Sequence, residues 1–407
     1  MTAAKKQKAV LLFSPFFFPE SISTGRYNTH LARALQQRGD KIVVVCSYPF
    51  YPEWEVATND VDELAGIQSL RGGKGIRYPR SQIFRRLVLE FWYFLFVRKA
   101  IRALDGQIFD VIVDVYPPNL FSLGSLRRRK FKAPIVGIVH DLQGVMSQAT
   151  PSFLRRIVGK LIRPIERKTL ERCDRLIFLS YAMMQFALDN YGLDEDKCDV
   201  AYPFHSVSGK RGGKIPPVLL AHKKTLIYSG ALGEKQAPEE LLQLMDEFAR
   251  RHSDYGVIVF SAGPVFDSLK KRYGNLGSPV EFHSLVPDDE LEGLLRSSTI
   301  QIIPQKLSLS HGAFPSKLPN LIASRTPIFG ITDEGSEIDD ILGRYSLGRT
   351  TNTWHTGATV RALENFANEL VSGVDTPGAE TNDAELNDVF SIERLCESIW
   401  EATEVCR

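Results

Sequence analysis

Three consecutive stretches decide the fold: Lys8-Ala9-Val10-Leu11-Leu12-Phe13, then residues 27–38, then Lys41-Ile42-Val43-Val44-Val45-Cys46. The first is apolar and stops at Ser14-Pro15, which predicts a strand. The second sets Tyr27, Leu31, Ala34 and Leu35 at helical spacing, and Gly39 ends it. The third is β-branched and almost wholly apolar, as a strand buried on both faces must be. Strand, helix, strand in that order is a βαβ unit, which imposes a parallel sheet with a right-handed crossover.

The same alternation recurs further along. Residues 110–115, 134–139 and 175–179 read as short strands, with a long amphipathic helix over 154–172. A run rich in Pro, Gly and Ser then breaks the pattern, with Pro203, Gly209, Gly212, Gly213, Pro216 and Pro217. The alternation restarts with strands at 225–229, 256–261, 300–304 and 327–331 and helices at 238–251, 288–296 and 317–323. Residues 351–388 read as polar and weakly patterned, and 392–405 as a final helix. The expectation is α/β: a first doubly wound domain over 1–203, a linker at 204–224, and a second over 225–390. A terminal helix at 391–407 packs back toward the first domain. Ligands in such sheets bind beyond the carboxyl ends of the strands, and two facing sheets would enclose a cleft.

Bulk properties narrow the function. The 407 residues suit two domains, and 43% hydrophobic with 24% charged residues is ordinary for a globular chain. A net charge of +2 gives no global field for nucleic acid. Five cysteines without close pairs indicate a reducing compartment, and eight scattered histidines offer no metal-ligand spacing. The N-terminus runs straight into the first strand rather than into a signal peptide. The longest apolar run, residues 91–97, falls far short of the ~20 residues a membrane span needs. GxGxxG and GxSxG motifs are missing, which argues against nicotinamide dinucleotides and serine hydrolysis.

Five stretches carry candidate chemistry. Ser316 can cap the helix that begins at Lys317, and the free N–H groups of its first turn would suit a diphosphate, with Lys317 adding a charge nearby; the stretch reads equally as a plain capped helix with a surface lysine. Gly230 and Gly233 let the backbone of the 228–235 turn approach a ligand, with Lys235 in reach of phosphate; many such turns are merely tight. The opening loop brings Ser23, Thr24 and Gly25 to a helix start. His140 and Asp141 end an apolar strand, where α/β enzymes keep reactive groups, or where polar residues simply satisfy local backbone. Finally, Arg85, Arg86, Arg98, Lys99 and Arg102 surround the aromatic run, residues 127–130 form a basic block, and 155–168 is a basic amphipathic helix. Such surfaces attract anionic lipid headgroups or are solvated helix faces.

Taken in order, these pieces resemble the family 4 glycosyltransferases, and within them the colanic-acid-cluster type. The likeness lies in Phe18-Pro19 through Thr24-Gly25, Leu31-Ala32 to Arg38-Gly39, and Tyr48-Pro49-Phe50-Tyr51-Pro52-Glu53-Trp54. It continues in the segment from Tyr228 to Gln236, Pro304-Gln305, Pro315-Ser316-Lys317-Leu318 with Asn320, and Ala323-Ser324 with Thr326-Pro327. The resemblance implies a GT-B fold of two facing Rossmann-like domains and metal-independent transfer, with retention, from a UDP- or GDP-sugar. It implies that Lys235 binds the donor diphosphate, that the loop at Thr24 and Gly25 closes over the phosphates, and that His140 sits near the transferred sugar. The segment around Gly263 and Ser284 resembles the nucleobase pocket, and Gly335 and Glu337 the turn and acid after the donor helix. Two departures stand out: Ala231 where many members have arginine, and Gly312 and Asn320 where many have a glutamate pair. Ser316, Lys317, Asn320 and the helix amides are then expected to do that work. The family's usual work also implies a lipid-linked glycan acceptor in exopolysaccharide synthesis, and a cytoplasmic protein peripheral on the inner face of the membrane. A sugar-nucleotide epimerase on the same fold, or a non-catalytic partner, are the competing classes.

Overall fold

A computed structural model describes residues 7–405 except 21, 52, 59–60, 118–131, 143–152, 208–212, 309–313 and 373–382. The chain divides into two compact units. The first comprises Met1–Tyr202, Gly312–Phe314 and Ser391–Arg407; the second comprises Pro203–His311 and Pro315–Phe390. The basic block at 127–130 and the departure at Gly312 lie outside the described residues.

The first unit is built on seven parallel strands among the described residues: β1 (Ala9–Phe13), β2 (Lys41–Ser47), β3 (Ile67–Gly72), β4 (Val111–Tyr116), β5 (Ile135–Val139), β6 (Arg175–Phe178) and β7 (Cys198–Val200). Their order is β3-β2-β1-β4-β5-β6-β7. β1 pairs in parallel with both β2 and β4, so the chain reverses its winding beside β1. The flanking helices are α1 (Ser23–Gln37), α2 (Gln82–Ala103), α3 (Phe153–Leu170) and α4 (Tyr181–Tyr191). Leu11, Phe13, Val43 and Val45 meet Trp92, Tyr93 and Val97 of α2 in one core. Sequence reading saw the aromatic run in α2 but assigned it no element, because apolar residues occur all round it. The C-terminal helix Ile392–Val405 packs against α1, and the Lys8 ammonium stands 4.2 Å from the Trp400 ring centroid.

The second unit holds six parallel strands among the described residues: β8 (Lys224–Ser229), β9 (Tyr255–Phe260), β10 (Glu281–His283), β11 (Ile300–Pro304), β12 (Ile328–Ile331) and β13 (Gly348–Thr351). Their order is β10-β9-β8-β11-β12-β13. The helices are α5 (Pro217–Leu220), α6 (Pro238–Arg251), α7 (Pro264–Asn275), α8 (Asp288–Ser297), α9 (Leu318–Ala323), α10 (Glu337–Arg344) and α11 (Thr356–Ser372), with Asp383–Val389 following. Two expectations need correction. α11 lies inside the stretch read as weakly patterned; its buried face of Thr359, Val360, Leu363, Phe366 and Ala367 has helical spacing, but small and polar residues dilute the apolar signal. The supposed linker contributes α5, whose buried Leu219 packs with Ile227, Ile258, Phe260 and Leu294.

β13 shows how tightly this sheet is assembled. Gly348 stands opposite Ile328, and a Cβ there would lie 1.9 Å from the Ile328 carbonyl oxygen. No rotamer relieves a backbone clash, so Gly348→Ala must push β13 off β12. The expected cost is about 3 kcal/mol, the upper part of the overpacking range. Thermal unfolding should show a midpoint lower by on the order of 10 °C; an unchanged midpoint would contradict the described register.

Candidate functional site

In the second unit the winding reverses between β8 and β11, which neighbour each other although β9 and β10 intervene in sequence. Loops leaving the carboxyl ends of two such strands diverge and leave a crevice, the usual ligand position in a doubly wound sheet. The loop after β8 carries Gly230, Gly233 and Lys235; the loop after β11 carries Gln305, Lys306, Ser316 and Lys317. The Lys306 amide donates to the Lys235 carbonyl at 2.8 Å, which ties one loop to the other. The Lys306 ammonium reaches Glu234 at 3.4 Å. The Lys317 ammonium donates to the Ile302 carbonyl of β11 at 2.8 Å and lies 4.1 Å from the Tyr228 ring centroid of β8. The Lys235 backbone and the ammonium groups of Lys306 and Lys317 are thereby fixed around one switch point. Lys306 was missed from the sequence; its neighbour Gln305 carried the resemblance, and nothing about Lys306 itself marked it.

The loop after β8 is rigid by construction. Gly230 takes φ 146°, a region that favours glycine, and its amide donates to the Phe260 carbonyl at the end of β9. The Tyr228 hydroxyl donates to the Ala231 carbonyl at 2.5 Å, and the Gly233 amide donates to Gln236 Oε1 at 3.0 Å. Lys235 then sits half-buried in a single helical turn, Glu234–Gln236. Burial lowers the Lys317 ammonium from its ordinary value to about 7. The residue as a whole is half-buried, and its charged end is held between a carbonyl and an aromatic face. An anion nearby would draw the proton back on.

Other predicted residues fall at neighbouring strand ends. Gly263 (φ 99°) follows β9 and starts α7, and Ser284 follows β10; both are exposed. Gly335 (φ 64°) follows β12, and its amide donates to Asp339 at 3.1 Å. Ser336 caps α10 by accepting from the Asp339 amide at 3.3 Å, and Glu337 opens that helix, half-buried. Two expectations are corrected. Ser316 does not cap the following helix: Lys317 holds the cap position without a side-chain bond, and Ser316 is exposed. The six residues of α9 also present few free donors. Pro319 has none, while the Leu318 and Leu321 amides are bonded to the Pro315 and Lys317 carbonyls. Positive charge at this place comes from the Lys317 side chain rather than from helix amides. Asn320 is likewise committed, because its amide oxygen accepts from the Ser206 amide at 2.7 Å and pins the start of the unit.

The first unit also gathers polar groups at its strand ends. His140, just past β5, donates its amide to the Tyr116 carbonyl at 2.8 Å, and its ring meets Tyr27 edge-on with centroids 4.5 Å apart. Its Nε2 is buried without a protein hydrogen bond, and burial lowers its titration to about 4, so the imidazole is neutral at pH 7. Asp141 beside it is half-buried. Gly25 is required sterically, since a Cβ would lie 2.9 Å from the Glu20 carbonyl oxygen; Thr24 is half-buried next to it. Sequence reading missed the residues that fasten this opening loop. Buried Asn28 donates at 2.9 Å to both Ser14 Oγ and the Phe16 carbonyl. Glu20 accepts from the amides of Phe50 at 3.0 Å and Tyr51 at 2.5 Å. Burial pushes the Glu20 carboxyl up to about 7 despite those donors. Among the described residues no cluster of three His, Cys, Asp or Glu could hold a metal, and no helix is long and apolar enough to cross a membrane.

Two all-parallel doubly wound units are the architecture of the GT-B fold. Comparison with known proteins gives the same class. The sequence profile of Glycosyltransferase Family 4 matches residues 24–207. The chain is 22% identical over 350 residues to the putative colanic acid biosynthesis glycosyl transferase WcaI of Escherichia coli (strain K12), covering 77% of this chain and 81% of the relative. The fold is shared with a sucrose-phosphate synthase of Thermosynechococcus elongatus (TM-score 0.72, 15% identity, 98% and 100% of the two chains). It is also shared with WaaG, a glycosyltransferase involved in lipopolysaccharide biosynthesis (TM-score 0.68, 13% identity, 96% and 99%). A trehalose-6-phosphate protein from E. coli, bound with UDP-2-fluoro glucose, superposes with TM-score 0.65 at 13% identity over 97% and 99%. These likenesses identify the chain as a glycosyltransferase, with residues 24–207 similar to family 4.

Proposed function

We propose that this glycosyltransferase moves a hexosyl group from a UDP- or GDP-sugar to an acceptor hydroxyl, with retention, in the assembly of a cell-surface polysaccharide. The observation that carries the reading is the set of lysines 235, 306 and 317 held around the β8–β11 switch point. As the glycosidic bond breaks, the departing diphosphate gathers negative charge, and the reaction needs a fixed positive site more than it needs a nucleophile. Lys235 and Lys317 supply that charge without a metal. Gly263 and Ser284 would border the base, and Gly335 and Glu337 the sugar side. His140, neutral at pH 7, would contribute a hydrogen bond rather than a charge at the transferred sugar, beside Asp141. A structural neighbour carries a UDP-sugar analogue on this fold, which supports a nucleotide-sugar donor. The WcaI likeness supports a role in polysaccharide biosynthesis; a lipid-linked acceptor at the inner membrane surface is the reading that the family resemblance implies.

Thermal-shift titration with nucleoside diphosphates and their sugars tests the donor. A nucleotide at about one hundred times its Kd stabilises the folded state by about 2.7 kcal/mol, so UDP or GDP and the matching sugar nucleotide should raise the midpoint. If no member of the panel shifts it, the donor assignment is wrong.

A further inference from the structure

We propose that the outward stripe of α2 is a docking surface for an anionic lipid bilayer. The proposal rests on the lipid-linked acceptor reading above and names the surface that would bring the protein to it. Phe84, Leu87, Phe91 and Leu95 are 63%, 53%, 62% and 49% exposed. Their spacings of three, four and four residues put them in one row along the helix. At 1.5 Å per residue the apolar row runs about 16 Å. Arg98 and Arg102 continue the same row, with Lys99 beside it, and all three are exposed. The Arg98 guanidinium lies 5.5 Å from the Phe94 ring centroid.

The opposite face of α2 is already used. Leu89, Trp92, Tyr93, Val97, Ala100 and Ile101 are buried in the core of the first unit. Glu90, the sole acid in the helix, is on that inner side and 3% exposed. The outer face therefore consists of large apolar side chains and cations with no acid among them. Four large apolar side chains in one exposed row are unusual on a surface that meets only water. A second copy of the chain fits poorly, because in a two-fold contact Arg98, Lys99 and Arg102 would meet a stripe that has no carboxylate to offer. An interfacial helix fits both halves. Its apolar row sinks into the headgroup–acyl boundary, and each cation near an anionic surface adds to the attraction.

The described part of the other basic helix is less suited. On α3, Arg163 donates to Asn190 at 2.5 Å and Arg167 pairs with Glu171 at 2.7 Å, so the protein itself engages them.

Co-sedimentation of the full chain with vesicles decides the matter, using phosphatidylcholine alone or mixed with phosphatidylglycerol at low salt. The wild-type protein should sediment with the mixed vesicles and much less with phosphatidylcholine alone. Phe84→Ser/Phe91→Ser/Leu95→Ser should reduce binding to mixed vesicles more than about tenfold. Arg98→Glu/Lys99→Glu/Arg102→Glu should abolish the preference for the anionic lipid. These side chains are exposed, so an unchanged thermal midpoint will show that the variants fold. Wild-type binding undiminished in the triple serine variant would overturn the assignment to α2 and leave the membrane reading standing. Failure of the wild-type protein to bind either vesicle would overturn both.

Discussion

Lys235→Ala is expected to lower the rate of sugar transfer by about 10²–10³-fold, the loss typical when one fixed group facing developing negative charge is removed. The position explains why one side chain should matter so much. Its backbone is held from both directions: the Lys306 amide bonds its carbonyl, and the Gly233–Gln236 bond closes the turn around it. The ammonium is thus attached to a frame that need not reorganise as charge develops on the departing phosphate. Ground-state affinity should suffer less than the rate, because the leaving group is more negative in the transition state than in the bound donor. Steady-state kinetics with the donor identified by thermal shift will read this as a fall in kcat that exceeds the rise in KM. Lys235→Arg, which keeps the charge, should recover part of the rate. Lys306→Ala should cost less, because the Lys306 charge is already shared with Glu234. A Lys235→Ala protein with undiminished turnover would show that the diphosphate leaves from somewhere else.

Much of the scaffold could be read from residue pattern, and the reasons are local. β1, β2, β4, β5 and β11 are runs of Val, Ile and Leu buried on both faces, which continuous hydrophobicity announces. The elements that escaped lack that signal. β7 and β10 have three residues each, β3 is half-exposed at the sheet edge, and β13 reads Gly-Arg-Thr-Thr. The strand-end positions of Gly230, Lys235 and Lys317 followed from locating the strands, whereas Gly263 and Ser284 rested on the family resemblance. What the pattern could not reveal was long-range engagement. Asn320 looked available until Ser206, 114 residues away in sequence, took its amide oxygen. Ser316 looked like a cap, but helical geometry begins only after Lys317, whose ammonium turns inward to a carbonyl on β11. Asn28, Glu20 and Arg71 hold the opening loop through contacts with Ser14, the Phe50 and Tyr51 amides, and the Phe18 carbonyl, pairings that no local motif encodes.

Lys317→Met should remove a pH dependence of both stability and nucleotide binding. In the folded protein Lys317 titrates near 7, below its ordinary 10.5, because burial disfavours the charged form. Between those values the unfolded chain holds a proton that the folded chain does not. Folding is therefore penalised most below about 7, and the penalty is relieved as pH rises toward 10.5. The slope is at most about 1.4 kcal/mol per pH unit, and less to the extent that water reaches the side chain. Methionine preserves the stem against Tyr228 but has no proton to lose. Denaturant titrations at pH 7 and pH 8.5 should show wild-type stability gaining on the variant by about 1–2 kcal/mol. Binding runs in the opposite sense. A bound diphosphate beside Lys317 favours the ammonium, so at pH 8.5 the wild-type protein should take up close to one proton on binding nucleotide and the variant none. Calorimetry in two buffers of different ionisation enthalpy measures that uptake directly. If the variant takes up the same proton, Lys317 does not face the phosphates, and its buried charge belongs to the Tyr228–Ile302 packing alone.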